Sequence, residues 1–114
     1  MRLEVEQLEE GLTKVSLFGR MDIAGIDEIG LRLTGVTAVD RRKVIVDLTG
    51  VDFMASIGIR AILQNARALK LRGGSMAVMG AGEFVSQVLD SAGVANVVPV
   101  VPDLASARST LAAQ

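Results

Sequence analysis

A chain of 114 residues is the size of one compact domain, and we read residues 1–114 as a single one. Twelve basic against thirteen acidic side chains leave a net charge of −1, which removes the global basic field that nucleic acid or an anionic membrane surface would select. With no cysteine and no histidine, disulfides and thiolate or imidazole metal sites are excluded, and neither a metal nor a cofactor is expected.

Half of the residues are hydrophobic but only 3% are aromatic, so the core is expected to be aliphatic, built from Val, Ile, Leu, Ala and Met. The mean hydropathy is high, at +0.45, yet charges interrupt the chain often. The longest uncharged run, Ser91 to Pro102, carries a proline and falls well short of the roughly 20 residues a membrane helix needs. No membrane insertion is expected. The opening "MRLEVEQLEEG" is charged and alternating, unlike a signal peptide, and a cytoplasmic setting fits.

In chain order, Leu3, Val5 and Leu8, the turn at "LEEGLTK", and then Val15 and Leu17 suggest a hairpin of Arg2–Leu8 with Leu12–Phe18. Ile26, Ile29, Gly30 and Leu33 fall at the i, i+3, i+4, i+7 spacing of one helical face. "DRRK", Asp40 to Lys43, reads as a solvated turn. "KVIVDL", Lys43 to Leu48, is β-branched and nearly continuous, as in a strand buried on both faces. From Ser56 onward, Ile59, Ile62, Leu63, Ala66 and Leu69 define the strongest amphipathic helix, with Arg60, Gln64, Arg67 and Lys70 on its polar side and "RGG" as its stop. "SMAVMG" reads as a strand. A helix through Phe84, Val85, Val88 and Leu89 ends at Gly93. "NVVPVV" is a short strand that Pro99 confines to an edge or irregular position. "PDLASARSTLAA" is a last helix, with Pro102 or Asp103 near its start. The order ββαβαβαβα gives an α/β fold with a mixed, mostly parallel sheet and helices packed on it. No internal repeat or linker is evident.

The loops Gly19–Ala24 and Thr49–Ser56 leave the C-terminal ends of two strands. If those strands are parallel, both loops emerge at one edge, where open α/β sheets place their sites. Ser56 is expected to be solvent-accessible there, beside Asp22, and to cap the helix it opens through the N–H of Gly58 or Ile59, a contribution of about 1 kcal/mol. A nucleophilic serine needs a base and an oxyanion hole. With no histidine and no G-x-S-x-G elbow, hydrolase chemistry is the weakest reading, and we expect no enzymatic activity. A phosphate acceptor needs only an exposed hydroxyl, and a helix N-terminus tolerates the added charge. Asp22 reads as a turn or cap aspartate that could also orient a metal-bound phosphate donor. Asp47 and Asp52 read as acceptors for loop amides. The "GAG" and "RGG" turns lack the spacing of a nucleotide loop.

Over "VIVDLTGVDFMASIGIRAIL", and in its strand–helix order along nearly the whole chain, the sequence resembles the STAS domain of anti-sigma-factor antagonists. The family pattern is a strand ending in Asp-Leu or Asn-Leu, a short loop, then Asp-Ser-Ser/Thr-Gly opening a helix; Ala55, Ser56, Ile57 and Gly58 match it. "GRMDIAG" is similar to the family's Gly-x-Leu-Asp segment and places Asp22 on its loop aspartate. The resemblance implies that Ser56 is the phosphorylated residue. It further implies that Asp22, Met54, Ala55, Ile57, Gly58 and Ile59 form the partner surface. The implied partners are an anti-sigma-factor serine kinase of histidine-kinase-like ATPase fold and a serine phosphatase, with no nucleic acid. Two positions depart from the pattern, Ala55 for Asp and Ile57 for Ser/Thr. The alternative is a STAS scaffold subunit that does not switch, for instance one of a bacterial phospholipid-transport ABC system.

Overall fold

The computed structural model describes residues 1–114 as five strands and four helices. β1 (Arg2–Glu9) and β2 (Leu12–Met21) form an antiparallel hairpin around Gly11, whose φ of +78° suits glycine. α1 (Ile23–Thr37), β3 (Lys43–Met54), α2 (Ser56–Leu71), β4 (Ser75–Met79), α3 (Glu83–Ser91), β5 (Val100–Val101) and α4 (Leu104–Ala112) follow. The sheet order is β1-β2-β3-β4-β5, parallel from β2 onward. The expected ββαβαβαβα arrangement is thus present.

Alternation along the strands divides the core in two. Val15, Leu17, Val44, Val46, Leu48, Met76 and Val78 point to one face, where they meet Ile29 and Leu33 of α1, Ile62 and Leu69 of α2, and Val85 and Leu89 of α3. Leu12, Ile45, Ala77 and Met79 point to the other face, covered by Ala107 and Leu111 of α4. β4 and residues 44–46 of β3 are buried on both faces and lack polar alternation, which returns in β3 at Asp47, Thr49 and Asp52.

Helix ends follow local chemistry. α2 stops in a Schellman arrangement: Gly73 N–H donates to the Lys70 carbonyl and Gly74 N–H to that of Leu69, with Gly73 at φ +79°. α3 ends before Gly93, also left-handed, and Asp103 caps α4 by accepting from Ser106 N–H. Of the "DRRK" turn only Asp40 and Arg41 are exposed; Arg42 and Lys43 are half-buried, donating to the Val36 and Leu111 carbonyls, and Arg41 adopts φ +60°, a conformation that costs a non-glycine residue about 1–2 kcal/mol.

Three expectations need correction. β3 does not stop at Leu48 but runs to Met54, and β2 runs past Phe18 to Met21. The supposed loops are strand, paired as Phe18↔Gly50, Gly19↔Val51, Arg20↔Phe53 and Met21↔Met54, with register irregularities that absorb the glycines. "NVVPVV" is mostly not strand: Val94–Asn96 is a 3-10 turn and only Val100–Val101 pairs with β4, at the sheet edge.

The core makes a direct prediction. Ile62→Ala, at a side chain buried against the sheet, should destabilise by about 2–5 kcal/mol. Leu31→Ala, at a position 91% exposed on α1, should stay within about 0.5 kcal/mol of wild type. Urea denaturation of the two variants checks both.

Candidate functional site

The site is built where β2 and β3 end side by side. Met21 and Met54 are register partners, and Ala55 N–H donates to the Met21 carbonyl at 3.0 Å. One residue beyond each methionine a helix is capped, by Asp22 for α1 and Ala55 for α2, both extended. The two segments share a pattern: Met21-Asp22-Ile23-Ala24-Gly25 and Met54-Ala55-Ser56-Ile57-Gly58. Sequence reading missed this short echo, although the spacing of Met and Gly was there to find it.

The glycines fix the geometry. A Cβ on Gly58 would lie 2.9 Å from Met21 Cβ and 3.0 Å from the Met21 carbonyl oxygen. A Cβ on Gly25 would strike the carbonyl oxygen of Arg20 at 2.0 Å. Both first turns therefore rest directly on the end of β2, as only glycine permits.

Ser56 is exposed and occupies the first position of α2. It is not the cap. Ala55 holds that position, its carbonyl accepts from Gly58 and Ile59, and no side chain closes the helix start. The one-residue offset places the hydroxyl outward, past the amides it was expected to bind. Asp22 sits at the same edge, as the parallel strands require, and its carboxylate accepts from Gly25 N–H at 2.8 Å and from Arg20 Nε at 3.3 Å. The Gly25 hydrogen bond, helped by Arg20 and opposed by some desolvation, holds its pKa below the ordinary carboxylate range. Asp22 is thus occupied as a helix cap.

Of the remaining expected contact residues, Ala55, Ile57 and Ile59 are partly exposed. Met54 is only 3% exposed and Gly58 is buried. Gly58 supports the site from beneath and offers no surface, a correction to the expected contact set, whereas Met54 lies at the end of β3 as part of the floor of a groove beside Ser56. Other exposed apolar side chains stand at the starts of neighbouring helices. Ile23, at the position in α1 that Ser56 holds in α2, is 69% exposed. Phe84, 51% exposed, stacks on Phe53 with ring centroids 6.0 Å apart, and the Arg20 guanidinium lies 4.1 Å from the Phe53 centroid on β3. An open groove runs from Ala55, Ser56 and Ile59 to Phe84 and Val88 of α3. Asp47 accepts from the Thr49 N–H and hydroxyl, as expected of a structural carboxylate, and Asp52 is exposed on β3. No group of acidic side chains is placed to hold a metal ion, and no helix is long and apolar enough to cross a membrane.

Comparison with known proteins is decisive for the family. The STAS domain model matches residues 3–107. The chain belongs to the STAS domain family. It is 27% identical, over 97% of each chain, to a protein named anti-sigma F factor antagonist from Paenibacillus polymyxa. Among solved structures it superposes with a TM-score of 0.87 on an anti-sigma factor antagonist from Mycobacterium paratuberculosis, at 22% identity, over 97% of this chain and 93% of that one. It superposes with a TM-score of 0.86 on a STAS domain protein from Planctomyces limnophilus, at 23% identity, over 96% and 97%. At those identities the two structures speak for the fold.

Two predictions follow from the STAS site geometry. Ala55→Asp supplies the missing cap and should stabilise by about 1 kcal/mol, read as a raised melting temperature. Because the folded-state pKa of Asp22 is lowered, its stabilisation is fully present above the unfolded-state value near 3.9 and is lost as pH falls through the folded-state value. Asp22→Asn keeps a capping oxygen but does not titrate. Its melting temperature should therefore fall less steeply than wild type as pH is lowered from about 5 to 2.

Proposed function

We infer that this STAS domain is an anti-sigma-factor antagonist, a binding module without catalytic activity of its own. It engages an anti-sigma-factor serine kinase when Ser56 is unmodified, and so frees a sigma factor. Phosphorylation of Ser56 by that kinase releases the complex, and a serine phosphatase resets it, in a cytoplasmic setting. The observation that carries this reading is the exposed hydroxyl of Ser56 at the start of α2, on a backbone platform fixed by Gly58. Similarity to a protein named as an antagonist supports it.

The physical basis of the switch is desolvation. Ile57, Ile59 and Phe84 give the surroundings of Ser56 an apolar character, so a partner packed over them removes water from the hydroxyl. A neutral hydroxyl tolerates that; a phosphate dianion buried under the partner costs several kcal/mol unless a cation meets it, and Arg60, one turn along α2, is the one charge of this chain at helical-neighbour spacing from Ser56. A penalty of roughly 3–4 kcal/mol lowers affinity by several hundredfold. The fold itself accommodates the charge, because it lies at a helix N-terminus with no acidic residue in its first turn. The non-switching scaffold reading draws on Ala55 and Ile57, which replace a carboxylate and a hydroxyl of the family pattern.

A pull-down of the kinase with wild type, Ser56→Ala and Ser56→Asp separates the two. The switch requires recovery of wild type and Ser56→Ala and loss of Ser56→Asp. Equal recovery of all three removes Ser56 as the switch and favours the scaffold. Since Ser56 is not the cap, both variants should melt within about 0.5 kcal/mol of wild type, which keeps folding out of the comparison.

A further inference from the structure

Charge on this protein is unevenly paired. The hairpin carries Glu4, Glu6, Glu9 and Glu10 with Arg2 and Lys14 among them, whereas α2 carries Arg60, Arg67 and Lys70 and no acidic residue. At the end of α2, Arg72 is paired with Asp40 at 3.1 Å. Arg60, Arg67 and Lys70 form no salt bridge, while Arg2, Lys14, Arg20 and Arg108 all do. Arg67 and Lys70 are exposed, and with Asn96 and Val97 they line a groove floored by Ala66. Val97 is 51% exposed, so an apolar side chain stands beside two uncompensated cations.

This groove lies on the same helix as the one at Ser56, with Ile59 on one and Ala66 and Lys70 on the other. From Ser56 to Lys70, α2 spans about 21 Å at 1.5 Å per residue, a length within reach of a single partner segment. The near end is mostly apolar, with Arg60 as its one charge; the far end carries two cations with an apolar side chain beside them.

We propose that the Arg67–Lys70–Val97 groove docks an acidic segment of a protein partner, one carrying carboxylates beside an apolar side chain. The inference rests on the partner-binding reading only for the identity of that partner; the groove and its charges stand without it. Exposed ion pairs steer and orient more than they hold. The groove therefore sets the direction in which the partner lies along α2, with Ser56 under its far end.

The test uses a short oligo(Glu-Glu-Leu) peptide titrated into the isotope-labelled full chain at low salt, with oligo(Lys-Lys-Leu) and a mixed-sequence DNA duplex as controls. The expected result is amide shifts centred on Ala66–Lys70 and Asn96–Val97 for the acidic peptide alone. Affinity should fall roughly fivefold to tenfold in Arg67→Glu/Lys70→Glu and should weaken further at physiological salt. Arg67→Gln/Lys70→Gln should give an intermediate loss, and unchanged circular dichroism melts should show that both variants are folded. Shifts centred elsewhere, such as on Arg41 and Arg108, an unchanged affinity in both variants, or equal binding of the basic peptide would overturn the proposal. Tighter binding of the DNA would overturn it as well, in favour of a nucleic-acid surface. None of these outcomes depends on the kinase, so the fate of the Ser56 switch is decided separately.

Discussion

The pairing of Met21 with Met54 governs the rest of the site. It sets two parallel strands to end at the same level, and the bond from Ala55 N–H to the Met21 carbonyl closes the ladder at its last rung. Each chain then has a single extended residue before its helix begins. No flexible loop intervenes, so the positions of Asp22 and Ser56 are inherited from the sheet. Side chains that serve binding are usually presented on loops carried by a scaffold; here the scaffold itself presents the serine.

Fold class, element order and the exposed place of Ser56 at the start of α2 were legible in the sequence because each rests on a strong local signal. The buried strands are β-branched runs, α2 has a clean apolar face, and glycine marks the helix stops. The ends of β2 and β3 were not legible. "TGVDFM" contains Thr, Gly and Asp, which favour turns, and only pairing with β2 makes it strand. Gly50 shows why: its missing Cβ would lie 2.3 Å from the Phe18 ring, so the glycine serves cross-strand packing and not a bend.

The cap was misplaced by one residue for a related reason. Serine before an apolar periodic run is the ordinary sign of an N-cap, and alanine rarely fills that position. Only backbone geometry distinguishes the cap from the first helical residue. The exposed Ile23 and Phe84 escaped notice because Ile23 fell within the expected loop Gly19–Ala24 and Phe84 reads as part of the apolar face of its helix. Both lie in the first turn of their helices, Ile23 in α1 and Phe84 in α3, and how far a helix start is covered is a tertiary property that no local window contains.

The glycines beneath the site also shape how this surface can change over generations. Position 56 is open to solvent, so its chemistry can be exchanged with little effect on packing. Position 58, two residues later, has room for nothing larger than hydrogen against Met21 and Met54. Variation at this edge is therefore free in kind but not in place. Descendants of this chain can alter what they display at the start of α2, while the point in space from which they display it stays constant.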